Sequence, residues 1–186
     1  NTTLVIKKSF EEEIPATGLH EVVIFSPRHN DCLETVSANN RLQLMLMLQK
    51  RIIEQSALKQ IKYIQVIGNF GREAGASLSH PHLQIFSLPL VPPMISAEFK
   101  ETKNYYSKKT KCLYCGILKE MPLERIVWQD LNIICFEPFA PSSPFETWIM
   151  PKQHISGFEK SAKRVLESFG ESVKIALSKI AKALDF

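Results

Sequence analysis

The sequence predicts an α+β fold built from two similar halves, each with a mainly antiparallel sheet and one long helix. Three observations support this fold class. Short runs rich in β-branched and aromatic residues, bounded by Pro or Gly, outnumber the helical patterns. The last segment carries apolar residues at steps of three or four, and an earlier segment offers a plausible apolar stripe, as is typical of helices with one buried face. A pattern of strand, proline, basic residue and histidine also occurs twice.

The first half contains three predicted strands and one predicted helix. The strand-like runs are LHEVVIFS at 19–26, closed by Pro27, YIQVI at 63–67, and HLQIFSL at 82–88, which follows Pro81. Between the first two, Ser37 is a suitable N-cap for a helix that continues through Ala57 to Lys62. Its apolar stripe comprises Leu44, Leu48, Ile52 and Leu58.

The second half repeats this arrangement with fewer strands. LNIICFEPF at 131–139 and ETWIM at 146–150 are predicted strands, and the proline-rich PFAPSSP connects them. The last segment is predicted to be a long amphipathic helix beginning near Ser161. Its apolar positions are Leu166, Phe169, Val173, Leu177, Ile180 and Leu184.

An internal duplication explains the paired patterns. HEVVIFSPRH ends at His29, FETWIMPKQH ends at His154, and each segment has a glutamate eight residues before its histidine. His154 follows His29 by 125 residues, and a predicted helix follows both. At this offset, counterparts of some second-half residues would precede Asn1, and counterparts of some first-half residues would follow Phe186. We therefore expect the 186 residues to be part of a longer protein, with a first half at 1–97, a linker at 98–111 and a second half at 112–186.

Composition narrows the class of protein. With 45% hydrophobic residues the chain can bury a core, and a net charge of +4 is too small to indicate a nucleic-acid partner. The densest basic run, Lys100 to Lys111, is interpreted as a solvated linker. No apolar run is long enough to span a bilayer and no signal-peptide pattern opens the chain, so we expect a cytoplasmic location without a membrane partner.

The four cysteines are expected to be reduced thiols. Cys112 and Cys115 form a C-x2-C pair, a spacing that suits two ligands of one zinc ion but is also found in plain thiol pairs and redox motifs. Cys32 and Cys135 have no partner in the sequence and are interpreted as small core residues.

The segment GNFGREAGASLSHPHLQI, residues 68–85, combines glycines, small residues and two histidines. With the two flanking segments it resembles the galactose-1-phosphate uridylyltransferase family, the transferase branch of the histidine-triad superfamily, which includes an ADP-glucose phosphorylase branch. The matched pattern consists of Asn69, Gly71, Gly75, Ser77, His80, Pro81, His82 and Gln84. The resemblance implies a duplicated histidine-triad-like fold and a homodimer.

A neutral imidazole can attack phosphorus without prior deprotonation, which makes His82 the predicted nucleophile of a nucleotidyl transfer. Gln84 lies two residues further along the same strand, so both side chains are expected on one face. Asn69, Gly71, Gly75 and Ser77 are the predicted substrate-binding residues, because backbone N–H groups and a hydroxyl can donate to phosphoryl oxygens. By itself, a glycine-rich loop before a strand is more often a simple turn.

The resemblance also implies structural zinc. His29 and His80 would join two cysteines expected upstream of Asn1, whereas Cys112, Cys115 and His154 would form a parallel site with a fourth ligand downstream of Phe186. His29 and His154 could instead be surface histidines after a proline turn. The predicted donor is a nucleotide sugar and the predicted acceptor a sugar 1-phosphate. We prefer uridylyl transfer, because uridylyltransferases are the larger branch of the family that the sequence resembles. One alternative is adenylyl transfer to phosphate, and another is a zinc protein that binds a nucleotide without catalysis.

Overall fold

The computed structural model describes residues 4–7, 13–76 and 78–184. Its helices are α1 (Ala38–Ser56), α2 (Pro93–Lys109), α3 (Leu113–Lys119) and α4 (Lys163–Ala183). Its strands are β1 (Leu4–Lys7), β2 (Glu13–Ala16), β3 (Leu19–Ile24), β4 (Tyr63–Ile67), β5 (His82–Leu88), β6 (Ile126–Gln129), β7 (Ile133–Phe136) and β8 (Trp148–Pro151). All strand pairs are antiparallel, which confirms the predicted α+β class. Within the described ranges, no helix has the length and apolar content that crossing a membrane requires.

The chain divides into two compact units. The first contains residues 1–30 and 50–99, and the second contains residues 31–49 and 100–186. Helix α1 therefore contributes its first part to the second unit and its last two turns to the first. The domain boundaries at 97 and 112 stay a prediction.

In the first unit, β5 is the central strand of the sheet β3-β5-β4. Alternation along β5 places Leu83, Ile85 and Ser87 on one face, where each is buried. The last turns of α1 lie on this face: Gln55 accepts a hydrogen bond from Ser87, and Arg51 donates to Glu21 of β3 with Nε at 2.9 Å from the carboxylate. The opposite face of β5 presents His82, Gln84 and Phe86.

In the second unit, β7 is the central strand of the sheet β6-β7-β8. All four of its residues, Ile133–Phe136, are buried, which explains why this strand reads as a continuous apolar run. Helix α4 packs against all three strands of this sheet. Full burial of a large aliphatic side chain contributes about 1.5–3 kcal/mol, so β7 is a main source of stability in this unit.

Helix α4 uses small residues for its closest contacts. Gly170 is buried, and a Cβ added there would lie 3.4 Å from Cβ of Arg41 and 3.6 Å from Cγ of Met45 on α1. The Arg41 side chain is itself buried and forms an ion pair with Glu171 at 2.6 Å. The buried positions of α4 are Val165, Leu166, Ser168, Gly170, Ser172 and Ala176. Of the predicted stripe, Leu166 is buried, Leu184 is exposed beyond the helix end, and the other four residues are half-buried. The stripe did not include the small buried residues Ser168, Gly170 and Ser172.

The predicted helix start at Ser37 is confirmed, since the Ser37 hydroxyl accepts a hydrogen bond from the N–H of Asn40 at 3.2 Å. The predicted continuation to Lys62 is wrong. The helix ends at Ser56, tight turns follow, and the N–H of Lys62 donates to the carbonyl of Leu88 at 2.8 Å, which begins the pairing of β4 with β5. Leu58 therefore lies outside the helix.

Other boundaries also differ from the predictions. Strands expected at 19–26, 131–139 and 146–150 are Leu19–Ile24, Ile133–Phe136 and Trp148–Pro151, whereas those expected at 63–67 and 82–88 are confirmed. Helix α4 begins at Lys163 after Ala162, which provides no side-chain cap. Residues 98–109 of the predicted linker belong to α2, none of whose residues is buried.

Candidate functional site

Strand β5 begins at the candidate nucleophile. His82 pairs with Ile24 of β3, and Gln84 pairs with Val22 of β3 and Ile67 of β4. Because side chains alternate along a strand, His82 and Gln84 share a face, as the sequence predicted. Gln84 thus has paired residues on both sides, whereas His82, at the start of β5, is paired on the β3 side only.

The His82 ring is held in one orientation. Its Nδ1 atom lies 2.8 Å from the carbonyl oxygen of His80, and the residue is 6% exposed. A carbonyl oxygen can only accept a hydrogen bond, so Nδ1 carries the hydrogen. In the neutral ring the lone pair is then on Nε2, so Nε2 is the ring atom that is able to attack an electrophile.

The Gln84 carboxamide is oriented by a residue that the sequence analysis did not assign. Nε2 of His20 lies 2.9 Å from Oε1 of Gln84, and the His20 ring stacks on Phe86 with a centroid distance of 4.3 Å and an interplanar angle of 7°. With its oxygen engaged, Gln84 keeps its NH2 group for another acceptor. Strand alternation puts residues 20, 22 and 24 on one face of β3, but the sequence alone does not give the register that brings His20 beside Gln84.

The loop between β4 and β5 contains glycines of two kinds. Gly71 and Gly75 have φ angles of +81° and +80°, a backbone conformation that glycine adopts at little cost. Gly68 is needed for space instead, because a Cβ there would lie 2.5 Å from Cδ2 of Leu83. The N–H of Gly75 bonds the carbonyl of Arg72 at 3.0 Å, and the N–H of Ala76 bonds that of Gly71 at 3.2 Å. Both amides are used inside the loop in this structure.

Asn69 is half-buried at the start of this loop. The side-chain nitrogen of Asn69, Nδ2, lies 3.9 Å from the position that a Cβ of Gly75 would occupy. The structure therefore brings these two predicted substrate-binding residues together. Ser77, predicted to donate to a phosphoryl group, lies outside the described residues.

His29 and His80 meet as the sequence analysis expected. Their Nδ1 atoms are 3.0 Å apart, and their rings are perpendicular with centroids 4.4 Å apart. Nε2 of His80 lies 2.7 Å from the carbonyl oxygen of Ser26, so Nε2 carries the hydrogen and Nδ1 has the lone pair. Two imidazole nitrogens on one tetrahedral zinc ion are about 3.3 Å apart, which fits this pair as half of a metal site.

Cys112, Cys115 and His154 form the second cluster. Their ligand atoms all lie within 4.8 Å of one another, and Sγ of Cys115 is 3.2 Å from Nδ1 of His154. Sulfur and nitrogen ligands of one zinc ion are about 3.5 Å apart, so these donors fit zinc. Burial and the neighbouring Cys112 thiol raise the pKa of Cys115, an effect that a bound cation would oppose.

Glu21 and Glu146, the glutamates of the repeated pattern, have structural partners. Hydrogen bonding and the charge of Arg51 lower the pKa of Glu21. The ion pair between these residues connects β3 to α1. Glu146 accepts hydrogen bonds from Trp148 Nε1 at 2.8 Å and from the Ser142 hydroxyl at 2.8 Å, and these bonds lower its pKa. Both residues stabilise their segments.

Comparisons with known proteins give a consistent picture. Residues 5–92 match the family described as galactose-1-phosphate uridyl transferase, N-terminal domain. The chain is 36% identical to ADP-glucose phosphorylase from Arabidopsis thaliana over 168 residues, which are 90% of this chain and 47% of that protein. It is 31% identical to galactose-1-phosphate uridylyltransferase from Thermotoga maritima over 179 residues, 96% of this chain and 56% of that protein. The chain thus spans about half the length of these relatives.

Solved structures agree with the sequence matches. A uridylyltransferase structure superposes with a TM-score of 0.90 at 30% identity, covering 97% of this chain and 59% of that one. The ADP-glucose phosphorylase of Arabidopsis thaliana with bound ADP-glucose gives a TM-score of 0.85 at 35% identity, covering 90% of this chain and 54% of that one.

Proposed function

Because this chain belongs to the galactose-1-phosphate uridylyltransferase family, we propose that it carries the nucleophile of a nucleotidyltransferase that acts on a nucleotide sugar. The observation that carries the proposal is the hydrogen bond from Nδ1 of His82 to the carbonyl of His80. This bond leaves Nε2 unprotonated in the neutral ring, as attack on phosphorus requires.

The proposed reaction has two displacement steps. Nε2 of His82 attacks the α-phosphorus of the nucleotide sugar, the new N–P bond forms, and the bond to the β-phosphate oxygen breaks. Sugar 1-phosphate leaves with that electron pair. A phosphate oxygen of the acceptor then attacks the same phosphorus, the N–P bond breaks, and the ring recovers its lone pair. The histidine is regenerated, so the kinetics should be ping-pong.

The His80 carbonyl has a second role in the proposed intermediate. A nucleotidyl group on Nε2 leaves Nδ1 protonated, so the ring becomes cationic. A hydrogen bond from a charged donor is about twice as strong as one between neutral groups. The 2.8 Å contact to the His80 oxygen therefore stabilises the nucleotidyl-histidine more than the free ring.

Gln84 is proposed to bind the transferred phosphoryl group through its NH2 group, with Asn69, Gly71, Gly75 and Ser77 as the other substrate-binding residues. Because its N–H bonds the Arg72 carbonyl, Gly75 is proposed to shape the loop rather than to donate. Removing one such fixed donor typically costs about 3 kcal/mol of transition-state stabilisation. A carboxamide at position 84 cannot relay a proton to a leaving group or from water, which favours transfer over hydrolysis.

Zinc is proposed as a structural cofactor. His29 and His80 would hold one ion, and Cys112, Cys115 and His154 another. Bound zinc would supply rigidity, since it fixes its ligands at set positions. His80 precedes His82 by two residues and also provides the carbonyl that orients the nucleophile, so fixing His80 also fixes the His82 ring.

A homodimer is proposed for the complete protein.

Uridylyl transfer from UDP-glucose to a hexose 1-phosphate is the first candidate activity. Adenylyl transfer from ADP-glucose to phosphate is the second, favoured by the 36% identity to an ADP-glucose phosphorylase. The test is a donor panel with the full-length protein, in which release of sugar 1-phosphate is measured with each donor, with and without each acceptor. One donor should give parallel double-reciprocal plots, and His82→Ala should abolish the release.

Leu19→Ala is the matched control, because Leu19 lies on β3 on the face opposite to His82 and Gln84. It should react at the wild-type rate. Binding of a nucleotide without turnover, with His82→Ala changing only affinity, would instead indicate a non-catalytic nucleotide-binding zinc protein. Turnover by His82→Ala would overturn the assignment of the nucleophile.

A further inference from the structure

We propose that His20 is a positioning residue that holds the Gln84 carboxamide with its NH2 group toward the reacting phosphoryl group. This inference rests on the proposed function and extends it to a residue outside the motif that identified the site. It follows from the contacts of His20 with Gln84 and Phe86.

His20 reaches Gln84 diagonally across two paired strands. In the register of β3 and β5, His20 is opposite Phe86, and the next pair on the same face is Val22 with Gln84. Diagonal neighbours on one face of a sheet are within reach of an aromatic or long side chain. The observed distance of 2.9 Å between His20 Nε2 and Gln84 Oε1 is that of a good hydrogen bond.

The direction of this hydrogen bond determines what Gln84 offers to a substrate. Oε1 of Gln84 is an acceptor, so Nε2 of His20 must be the donor, in either protonation state of the ring. The NH2 group of Gln84 then points away from His20. If the carboxamide rotated by 180°, its oxygen would take that place and repel a phosphoryl oxygen.

Stacking makes His20 a rigid donor. The ring lies parallel to Phe86 at 4.3 Å, so its orientation is already set by packing before the hydrogen bond forms. A donor that is already ordered loses little side-chain freedom when it binds Gln84, which matters because His20 is exposed to solvent.

The expected size of the effect follows from the strength of one neutral hydrogen bond. Such a bond corresponds to a factor of about 2 to 10 in an equilibrium between two orientations. Loss of the His20 donor should therefore slow nucleotidylation of His82 by about 2- to 10-fold at saturating donor. Loss of the whole Gln84 side chain should cost more, about 100-fold.

Two substitutions separate the hydrogen bond from the stacking. His20→Phe keeps an aromatic ring against Phe86 but has no donor, and should give the 2- to 10-fold loss. His20→Gln retains a side-chain N–H donor and should restore the rate to within about 2-fold of wild type. The measurement is the single-turnover rate of label transfer from the nucleotide sugar to the full-length protein, with Leu19→Ala as the control on the same strand.

A double-mutant cycle tests whether His20 acts through Gln84. In a Gln84→Ala background, His20→Phe should cause no further loss, because the group that it positions is gone. A loss that persists in that background, together with a lower melting temperature, would show that His20 only supports the fold. A wild-type rate for His20→Phe would also overturn the proposal.

Nitrogen-15 NMR of the imidazole provides a readout that does not depend on turnover. The neutral His20 ring should be the Nε2–H tautomer, and the Gln84 side-chain amide signals should shift in His20→Phe. An Nδ1–H tautomer would contradict the contact. If the wild-type protein forms no adduct with any donor, the proposed function fails, and the NMR result then decides the contact by itself.

Discussion

Gly68→Ala is a substitution whose effect can be worked out from a single contact. A Cβ at Gly68 would lie 2.5 Å from Cδ2 of Leu83, whereas ordinary contacts begin at 3.4 Å, so Leu83 must retreat by about 0.9 Å. Leu83 is 7% exposed and lies on β5 between His82 and Gln84. Because its buried face is closely packed, we expect unfolding free energy to fall by about 1–3 kcal/mol.

The assay is equilibrium denaturation of Gly68→Ala, Leu83→Val and the double variant. Valine lacks the clashing methyl group, so the double variant should be more stable than the sum of the single effects predicts, by about 1 kcal/mol. The rate of label transfer to His82 should follow the same order, since Leu83 is its chain neighbour.

Gly71→Ala is the matched control for this cycle. Its φ of +81° makes alanine unfavourable by about 1 kcal/mol, but no atom lies within 4 Å of the added Cβ. Leu83→Val should therefore give no relief at Gly71. Wild-type stability of Gly68→Ala, or equal relief at both glycines, would refute the steric explanation.

Three further predictions concern the second unit. Burial opposes ionisation of Asp130, but hydrogen bonds from a serine hydroxyl and two backbone N–H groups lower its pKa. Its contribution to stability should therefore be lost as pH falls below about 4, the usual value for an unfolded aspartate. Denaturation between pH 5 and about pH 2 should show a shallower loss for Asp130→Asn than for wild type; equal slopes would contradict this. Burial raises the pKa of Cys135 to about 11, so this thiol should be unreactive at neutral pH. A thiol reagent added to metal-depleted protein should therefore modify the exposed Cys115 but modify Cys135 only after the protein unfolds. Cys112→Ser should remove one equivalent of zinc by elemental analysis and lower the melting temperature, with label transfer to His82 retained; unchanged metal content would contradict the cluster.

The sequence predicted strands best where turn residues bound them. The strands at 63–67 and 82–88 were predicted to the residue, because Gly68 ends one and Pro81 precedes the other. Helix α2 was missed because none of its residues is buried, so it has no apolar stripe to detect. Strand β6 was also missed, although it has the same length as the predicted strands β7 and β8.

The packing of α4 shows a different limit. Gly170 is buried against Arg41 and Met45, where only a small residue allows the helices to approach. Hydropathy weights large apolar residues and therefore favoured Leu184, which is 45% exposed and lies beyond the helix end. Small residues become informative only when the neighbouring helix is known.

The sequence predicted those parts of the candidate site whose residues lie close together in a local motif. His82 and Gln84 share a motif, and the C-x2-C pair and the repeated histidines pointed to clusters that the structure does bring together. The role of His20 depends on the register between β3 and β5, which are separated by 57 residues of chain. No local pattern specifies that register.

The most direct test of the central claim is to locate the covalent intermediate. The full-length protein is reacted with nucleotide sugar, quenched in alkali to preserve the phosphoramidate, and digested with trypsin, which should release residues 73–100 as one peptide. That peptide contains His80 and His82 and no other histidine. We predict a nucleotidyl group on His82. Neither nitrogen of His80 is available for attack, because its Nε2 donates a hydrogen bond to the carbonyl of Ser26 and its Nδ1 faces His29. An adduct on His80, or no adduct with any donor that yields sugar 1-phosphate, would contradict the claim.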